Sequence, residues 1–385
     1  MKEFSVKIKP LTPIWTGDAN RKCETLRETG IIGSLRWWYE ALIRGLGGYA
    51  CDPTDSKCDG KNHCDACELF GCNGWARKFR LQIATVDSSY APSVIANTNP
   101  KSSKKPHFLG YYDTKGYGYE KNGGLLGEHE LTFIVEKSDT LNLIKLLLKL
   151  AAEWGFGAWV QKGFGISHIE GDLNFSEVKI PINQNYPKKM DYRYPRMDQF
   201  FFYMIPFKNK AISKIREVIK ANIYKTWRDL QNNKPLNETF SSYHYIPTSP
   251  WIRGAIRASF RDNDGLRHFI MGFVSVKGNP KPEEKEIFEK TGSKIFVSHI
   301  YDENSFIDSK EPAWRMKIWG WIPEIPDKIG VTREKVIEII QKNIKKEDFW
   351  KNAFGLDENP VEIDNISEKW NVNPLEILKD GGGII

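Results

Sequence analysis

Hydrophobic and polar residues alternate along the chain with periods that predict several strands and helices. Residues 3–15 alternate as far as Ile8 and then reach Pro10 and Pro13, which predicts a strand that leaves its sheet at the prolines. Residues 31–44 place apolar side chains every three or four positions and predict a helix that begins at a Gly-Ser start signal. The apolar face of this helix is suited to packing on a sheet.

The pattern continues in the order expected of one α+β unit. Two further strands, a helix that is apolar almost all round and a fourth strand are predicted at residues 77–86, 131–136, 138–154 and 167–173. This β-α-β-β-α-β order predicts a ferredoxin-like fold over residues 1–175. Residues 88–128 lack strong periodicity, so we expect a long loop that is either functional or mobile.

A second unit is predicted after a linker at residues 180–196, which is interrupted by prolines. Its predicted elements are a strand at 199–207, an inserted amphipathic helix at 211–231, a helix at 247–261, a strand at 314–321 and a helix at 331–346. The tail from Glu347 shows no periodic element. We therefore expect two domains, residues 1–180 and residues 197–385.

The helix at 31–44 carries a polar stripe opposite its apolar face. Arg36, Glu40 and Arg44 follow one another at i, i+4 and i+8, with Trp37 beside them. The same spacing returns in the helix at 247–261, at Arg253, Arg257 and Arg261. A solvated helix face would explain one such stripe, but its recurrence indicates an internal duplication and favours an anionic ligand such as phosphate. Trp37 offers either a stacking face for a base or a contact with protein.

Residues 155–165 form a glycine-rich segment that contains Gly157, Lys162 and Gly163. Glycines allow close approach of a ligand, exposed amides can bind phosphate oxygens, and Lys162 adds a positive charge. A tight turn between a helix and a strand is the alternative. The segment matches neither a Walker loop nor a dinucleotide-binding turn, so a nucleotide cofactor is not expected.

Five of the six cysteines fall within residues 51–72. Cys64 and Cys67 have the spacing of half a zinc ribbon, and Cys58 and Cys72 could complete a tetrahedral set. This spacing matches no standard second pair, so buried free thiols remain the alternative to a structural zinc ion. No other cofactor is expected.

The composition favours a polyanionic partner. The chain has 385 residues, a net charge of +7, a pI near 8.8 and 13 tryptophans. Basic and aromatic residues together suit single-stranded nucleic acid, in which phosphates pair and bases stack. The longest apolar run, residues 141–154, is interrupted by charges, and the N-terminus lacks a signal-peptide core. We therefore expect a cytoplasmic protein without a membrane partner.

Several of these motifs occur together in one known family. The segments IIGSLRWWYEALIR, CELFG and GFGAWVQKGFG resemble the RAMP superfamily of CRISPR proteins. Combined with TPIWTGDAN near the N-terminus, they resemble the first RAMP subunit of type III-B, Cmr-type, effector complexes. The second half is similar more loosely, through TSPWIRGAIRASF and GSKIFVSHI.

The resemblance implies tandem ferredoxin-like domains, the second one divergent, in a complex with guide RNA, target RNA and other RAMP subunits. It implies a non-catalytic RNA-binding subunit with a role in antiviral defence. The expected RNA-binding residues are Arg36, Trp37, Arg44, Gly157, Lys162, Gly163, Arg253 and Arg257. The second half shows no matching glycine-rich loop, which puts a second equivalent RNA surface in doubt.

Two other functions remain open. Some RAMP proteins process guide RNA, and a metal-independent endoribonuclease would need a general acid and base such as histidine, tyrosine or lysine. The seven histidines are scattered and none lies in the basic motifs. A purely structural scaffold that uses its tryptophan-rich faces is the other alternative.

Overall fold

The structure is a computed structural model. It describes residues 1–18, 22–52, 58–98, 107–109, 123–175, 178–182, 193–236, 243–272, 292–308, 310–379 and 384. The chain folds into two antiparallel sheets with packed helices, joined by a small third sheet. Most of the predicted linker, residues 183–192, lies outside the described residues.

The first half forms a four-stranded antiparallel sheet. Its elements are β1 (Lys2–Pro10), α1 (Glu28–Gly45), α2 (Asp65–Phe70), β2 (Phe79–Thr85), β3 (Val94–Ala96), β4 (His107–Leu109), β5 (His129–Val135), α3 (Ser138–Trp154) and β6 (Ser167–Glu170). The sheet order is β2-β5-β1-β6, with every neighbouring pair antiparallel. Helices α1 and α3 pack against each other. This is the ferredoxin-like arrangement that the sequence predicts.

The second half repeats this order with additions. Its elements are β7 (Phe200–Pro206), α4 (Asn209–Ala221), β8 (Ile223–Tyr224), α5 (Trp227–Gln231), β9 (Tyr245–Ile246), α6 (Ser249–Ala258), α7 (Asp264–Met271), β10 (Ile295–Val297), β11 (Ile300–Asp302), β12 (Trp314–Trp321), α8 (Arg333–Ile344), α9 (Glu347–Phe354), β13 (Ser367–Trp370) and α10 (Pro374–Lys379). The sheet order is β13-β7-β12-β11-β9, and β10 also pairs with β12. If β10 and β11 are counted as one interrupted strand, the order matches that of the first sheet. The predicted tandem ferredoxin-like α+β fold is confirmed.

The third sheet links the insertions of the two halves. Strands β3 and β4 lie within the predicted loop at 88–128 and pair in the order β4-β3-β8. Residues 99–106 and 110–122 of that loop lie outside the described residues. Strand β8 interrupts the single helix predicted at 211–231, so the insertion contains α4 and α5 instead.

The ends of several elements differ from the sequence prediction. Helix α1 begins at Glu28, so Gly33 and Ser34 lie inside it rather than at its start. The tail that showed no periodic element contains α9, β13 and α10. Each described helix is too short or too polar to span a bilayer.

Aromatic side chains join the two halves into one core. Trp154 of α3 lies 4.6 Å from Phe202 and 6.0 Å from Trp319 between ring centroids. Trp38 of α1 lies 5.8 Å from Phe200 of β7. The division into residues 1–180 and 197–385 stays a prediction, since the core is continuous across it.

Candidate functional site

The glycine-rich segment, residues 155–165, joins α3 to β6 and is fastened to the start of the chain. The N–H of Gly157 donates to Ser34 Oγ at 2.7 Å, and the N–H of Ala158 donates to the carbonyl of Trp15 at 2.7 Å. Ser34 therefore links the loop to α1. It belongs to the Gly-Ser pair that the sequence predicts at the start of this helix.

Two glycines of this loop are required by its shape. Gly157 has φ 72° and Gly163 has φ 102°, which side-chain-bearing residues rarely adopt. A Cβ on Gly163 would lie 2.6 Å from His299 Nδ1 and from Ser249 Cβ. The N–H of Gly163 donates to Val160, so the two predicted phosphate-binding amides already have acceptors within the protein.

Lys162 closes a short 3₁₀ turn, Val160–Lys162, at the outer part of this loop. Trp159 stacks on Trp15 with ring centroids 3.8 Å apart, and Lys162 Nζ lies 3.8 Å from the centroid of Trp159. Burial lowers the pKa of Lys162 to about 8, because a charged amine loses hydration there. Among the described residues, no carboxylate forms an ion pair with Lys162. Its charge is thus available to an anionic ligand.

Arg253 lies next to this turn. The turn packs against β10, and Arg253 donates to the carbonyl of Ile295 in β10 at 2.7 Å. Burial and the charge of Arg257 lower the pKa of Arg253 to about 10. Desolvation, then the charges of Arg253 and Lys162, lower the pKa of His107. His107 therefore lies within electrostatic reach of both Lys162 and Arg253, and we call these three residues the cationic cluster.

Arg257, one turn further along α6, is half-buried and faces different groups. Burial and the charge of Arg267 lower its pKa, while Asp264 raises it. The structure therefore brings Lys162, Gly163 and Arg253 together from the predicted set and leaves Arg257 beside this group.

The polar stripe on α1 has a different environment. Glu40 is buried and accepts from Arg36 Nε at 2.8 Å and from Arg44 Nη2 at 3.1 Å. Arg44 also donates to the carbonyl of Ala50 at 3.2 Å. The periodicity of residues 31–44 predicts this stripe on the face opposite the packed one, but residues of the cysteine-rich segment cover it. Both guanidinium groups are engaged by one carboxylate.

Trp37 is half-buried where the two halves meet. Its ring makes edge contacts with Trp38 at 4.9 Å and with Phe200 and Phe296 at 6.0 Å. Trp37 packs on the second half and also lines a cavity beside the glycine-rich loop. Its position is therefore compatible with both interpretations, a protein contact and a stacking face for a base.

Four cysteine sulfurs converge beneath the stripe. The Sγ atoms of Cys51, Cys58, Cys64 and Cys67 all lie within 4.8 Å of one another. Cys72 is outside this cluster, and its Sγ contacts the carbonyls of Asp59 and Asn73. The clustered set differs from the predicted set in one residue, with Cys51 in place of Cys72.

The cluster has the hydrogen bonds that favour thiolates. The N–H groups of Cys51 and Cys67 each donate to Cys64 Sγ at 3.4 Å, and the N–H of Cys64 donates to Cys58 Sγ at 3.3 Å. Arg36 Nη2 lies 3.6 Å from Cys51 Sγ and 3.5 Å from Cys67 Sγ. Tetrahedral zinc with sulfur ligands at about 2.3 Å places its sulfurs about 3.8 Å apart, which this arrangement fits.

Comparison with known proteins gives a family for the first half. The family model described as the RAMP superfamily matches residues 7–168. The match covers somewhat less than half of the chain, and the resemblance to this superfamily is confirmed over that range. No curated protein matches the chain.

Two solved structures are similar to the chain. The crystal structure of Cmr1 from Pyrococcus furiosus in its apo form is 10% identical, with a TM-score of 0.42, and the match covers 96% of this chain and 99% of that one. A type III-B Cmr-beta complex bound to cognate target RNA and AMPPnP contains a chain that is 14% identical, with a TM-score of 0.44. That match covers 88% of this chain and 98% of the other.

The sequence patterns did not single out several residues that lie around the glycine-rich loop. Trp159 lies within the loop and Trp15 stacks on it, yet neither stood out among 13 tryptophans. His107 is remote in sequence from Lys162 and Arg253. Cys51 precedes the Cys64–Cys67 pair by more than a dozen residues, and a search over all cysteine combinations would have included it.

Proposed function

We propose that this protein is a non-catalytic RNA-binding subunit of a type III-B, Cmr-type CRISPR effector complex in the cytoplasm. It would contact the 3′ region of the guide RNA, the target RNA, or both, beside other RAMP subunits, and aid target capture. The RAMP match over residues 7–168 and the motifs of the first half support this proposal.

The observation that carries RNA binding is the cationic cluster. Lys162 and Arg253 come from different halves of the chain and lie at one junction with His107. Neither Lys162 nor Arg253 forms an ion pair with a carboxylate of the described residues. Both cations act on His107, so a phosphate bound in this region would be attracted by both of them.

The aromatic stack beside the cluster supports single-stranded RNA over a simple anion. Trp15 and Trp159 form a stacked pair in which Trp15 is buried, while the half-buried Trp159 keeps accessible surface beside Lys162. Proteins that bind single strands combine cations along the backbone with aromatic rings that stack on bases. Arg36 and Arg44 are already paired with Glu40, so we centre the RNA contact on Lys162 and Arg253 instead.

The test is filter binding of single-stranded RNA over a salt series. Lys162→Met keeps the length of the side chain and removes its charge, and Lys335→Met on exposed α8 is the matched control. Each lost phosphate contact should reduce the slope of log affinity against log salt by about 0.7. We expect this reduction for Lys162→Met alone; an unchanged affinity and slope would refute the proposed contact.

A cleavage assay with labelled RNA and a co-purification assay distinguish the two alternatives. If the wild-type protein leaves end-labelled RNA intact in the presence of chelator, the endoribonuclease alternative is excluded. Cleavage that His107→Ala abolishes would instead make the cluster catalytic, with His107 and Lys162 as candidate base and acid. A protein that binds no RNA but co-purifies with other subunits would be a scaffold.

We also propose that Cys51, Cys58, Cys64 and Cys67 hold a structural zinc ion. Zinc would bring two positive charges to four thiolates, and the Arg36 guanidinium would offset part of the remaining negative charge. On this proposal Arg36 supports the metal site, and the ion fastens the cysteine-rich segment over α1.

A further inference from the structure

A cavity of about 600 Å³ lies between the two halves, beside the glycine-rich loop. One side is formed by the first turns of α1, where Gly30, Gly33, Ser34 and Trp37 share a face. The other sides come from the glycine-rich loop and from Phe296 and Trp319 of the second half. Its volume is within the range of small-molecule sites, about 300–1,000 Å³.

The walls of this cavity are unusually aromatic. Six of the 13 tryptophans line it: Trp15, Trp37, Trp38, Trp154, Trp159 and Trp319. No charged side chain is among its described lining residues, and the gaps between the rings are left by small ones such as Gly33 and Ala158. Trp37, Trp159 and Phe296 keep accessible surface and can contact a flat, uncharged ring system, while the other tryptophans pack behind them. The uncharged lining disfavours a phosphate inside the cavity.

The cavity adjoins the cationic cluster through one residue. Trp159 lines the cavity, and Lys162 Nζ lies 3.8 Å from the centroid of its ring. Lys162 is not itself a lining residue, so a ligand that reaches it must carry a phosphate beyond an uncharged ring held in the cavity. A nucleotide of a single strand has both parts, since its base can leave the stack while its phosphate remains on the backbone.

We propose that this cavity receives one unstacked nucleobase of the bound RNA, with the adjoining phosphate at Lys162. The inference rests on the proposed RNA-binding function and adds a base-binding subsite to it. It also gives the tryptophans of both halves a shared role, because the cavity exists only where the halves meet.

Gly33 provides a direct test. It lies on the cavity face of α1, and a Cβ at this position meets no atom within 4 Å. Gly33→Leu would place a bulky side chain at the cavity from an open position and would favour the helix. Gly33→Ala is the matched control, since it gives a similar helix preference with only one added methyl group.

Each protein is titrated with oligo(A) RNA and with an abasic ribose-phosphate oligomer of the same length. We expect wild type to bind the base-bearing RNA about tenfold more tightly than the abasic oligomer. Gly33→Leu should lose this preference yet bind the abasic oligomer as wild type does, and Gly33→Ala should keep most of it. If Gly33→Leu retains the full preference, the cavity proposal is wrong.

The design distinguishes failure of the two proposals. If wild type binds neither oligomer, the proposed RNA-binding function fails, and the base subsite fails with it. If wild type binds both equally, RNA binding stands and the base subsite is refuted. Should Gly33→Leu not fold, tryptophan emission of wild type decides: quenching by oligo(A) but not by the abasic oligomer supports the subsite, and no difference overturns it.

Discussion

RNA binding should weaken as the pH rises from 7 to 9, because the charge of Lys162 is lost in that range. Burial lowers the pKa of this lysine to about 8, well below its usual value of 10.5. The neighbouring groups do not titrate with it. Desolvation and nearby cations keep the pKa of His107 below 6.5, and the pKa of Arg253 is about 10.

The size of the effect follows from the protonated fraction. With a pKa of about 8, roughly nine-tenths of the lysine is charged at pH 7 and roughly one-tenth at pH 9. If the phosphate binds only the charged amine, the apparent affinity falls in proportion, by up to about tenfold. A bound phosphate favours the charged amine, so RNA binding above pH 8 should also take up a proton.

The assay is fluorescence anisotropy with labelled oligo(A), whose bases do not lose a proton between pH 7 and 9. Lys162→Arg is the control variant, because a guanidinium keeps its charge throughout this range. Wild type should lose affinity with rising pH, whereas Lys162→Arg should vary little. An equal pH dependence in the two proteins, or none in wild type, would refute the proposed role of the buried lysine.

Two further predictions concern the segment that covers α1. Metal analysis should find one zinc ion per chain in wild type and in Cys72→Ser but not in Cys51→Ser; zinc retention by Cys51→Ser or its loss from Cys72→Ser would refute the clustered ligand set. Glu40→Gln should destabilise the protein by about 3–5 kcal/mol in denaturant unfolding, because it leaves two half-buried guanidinium groups unpaired. Glu338→Gln, which breaks an exposed pair with Lys335, should cost less than about 1 kcal/mol, and equal losses would contradict the argument.

Periodicity was sufficient for the regular elements. Strand β12 has the predicted bounds, and α3 begins and ends where its apolar pattern does. Periodicity did not predict the short strands, which pair with residues that are distant in the sequence. Strand β13 has four residues at a sheet edge, and β3 pairs with β8, which lies more than 100 residues later. Such strands are stabilised by their partners rather than by a local pattern.

The sequence identified residues of the candidate site but not the contacts that bring them together. Lys162 and Arg253 were both named from the sequence, whereas their proximity depends on how the glycine-rich loop docks on the second half. The stripe on α1 was expected to face away from the packed surface. The stripe is buried by the cysteine-rich segment, which lies outside residues 31–44, so the periodicity of those residues does not reveal the burial. Glu40 is the one local sign that the arginines of the stripe have a partner.

The two halves retain matching features outside their sheets. Helix α2 follows α1 and ends at Gly71, while α7 follows α6 and ends at Gly272. Both glycines have φ 82°, with ψ values of 161° and 153°. This shared helix pair supports the internal duplication that the repeated arginine spacing predicts.

One aligned position explains why the polar stripes on α1 and α6 have different environments. In the alignment of the two helices, Glu40 of α1 corresponds to Arg257 of α6. A carboxylate between Arg36 and Arg44 allows the first stripe to be covered and buried, because each cation gains a partner. An arginine there leaves the second stripe with like charges in sequence, and Arg257 lowers the pKa of Arg253 instead of pairing with it. Among the described residues Arg253 therefore has no carboxylate partner, and Ser293 Oγ and the Ile295 carbonyl accept from it at the junction that the glycine-rich loop reaches. One RNA surface shared by both halves, rather than one in each, is what this asymmetry predicts.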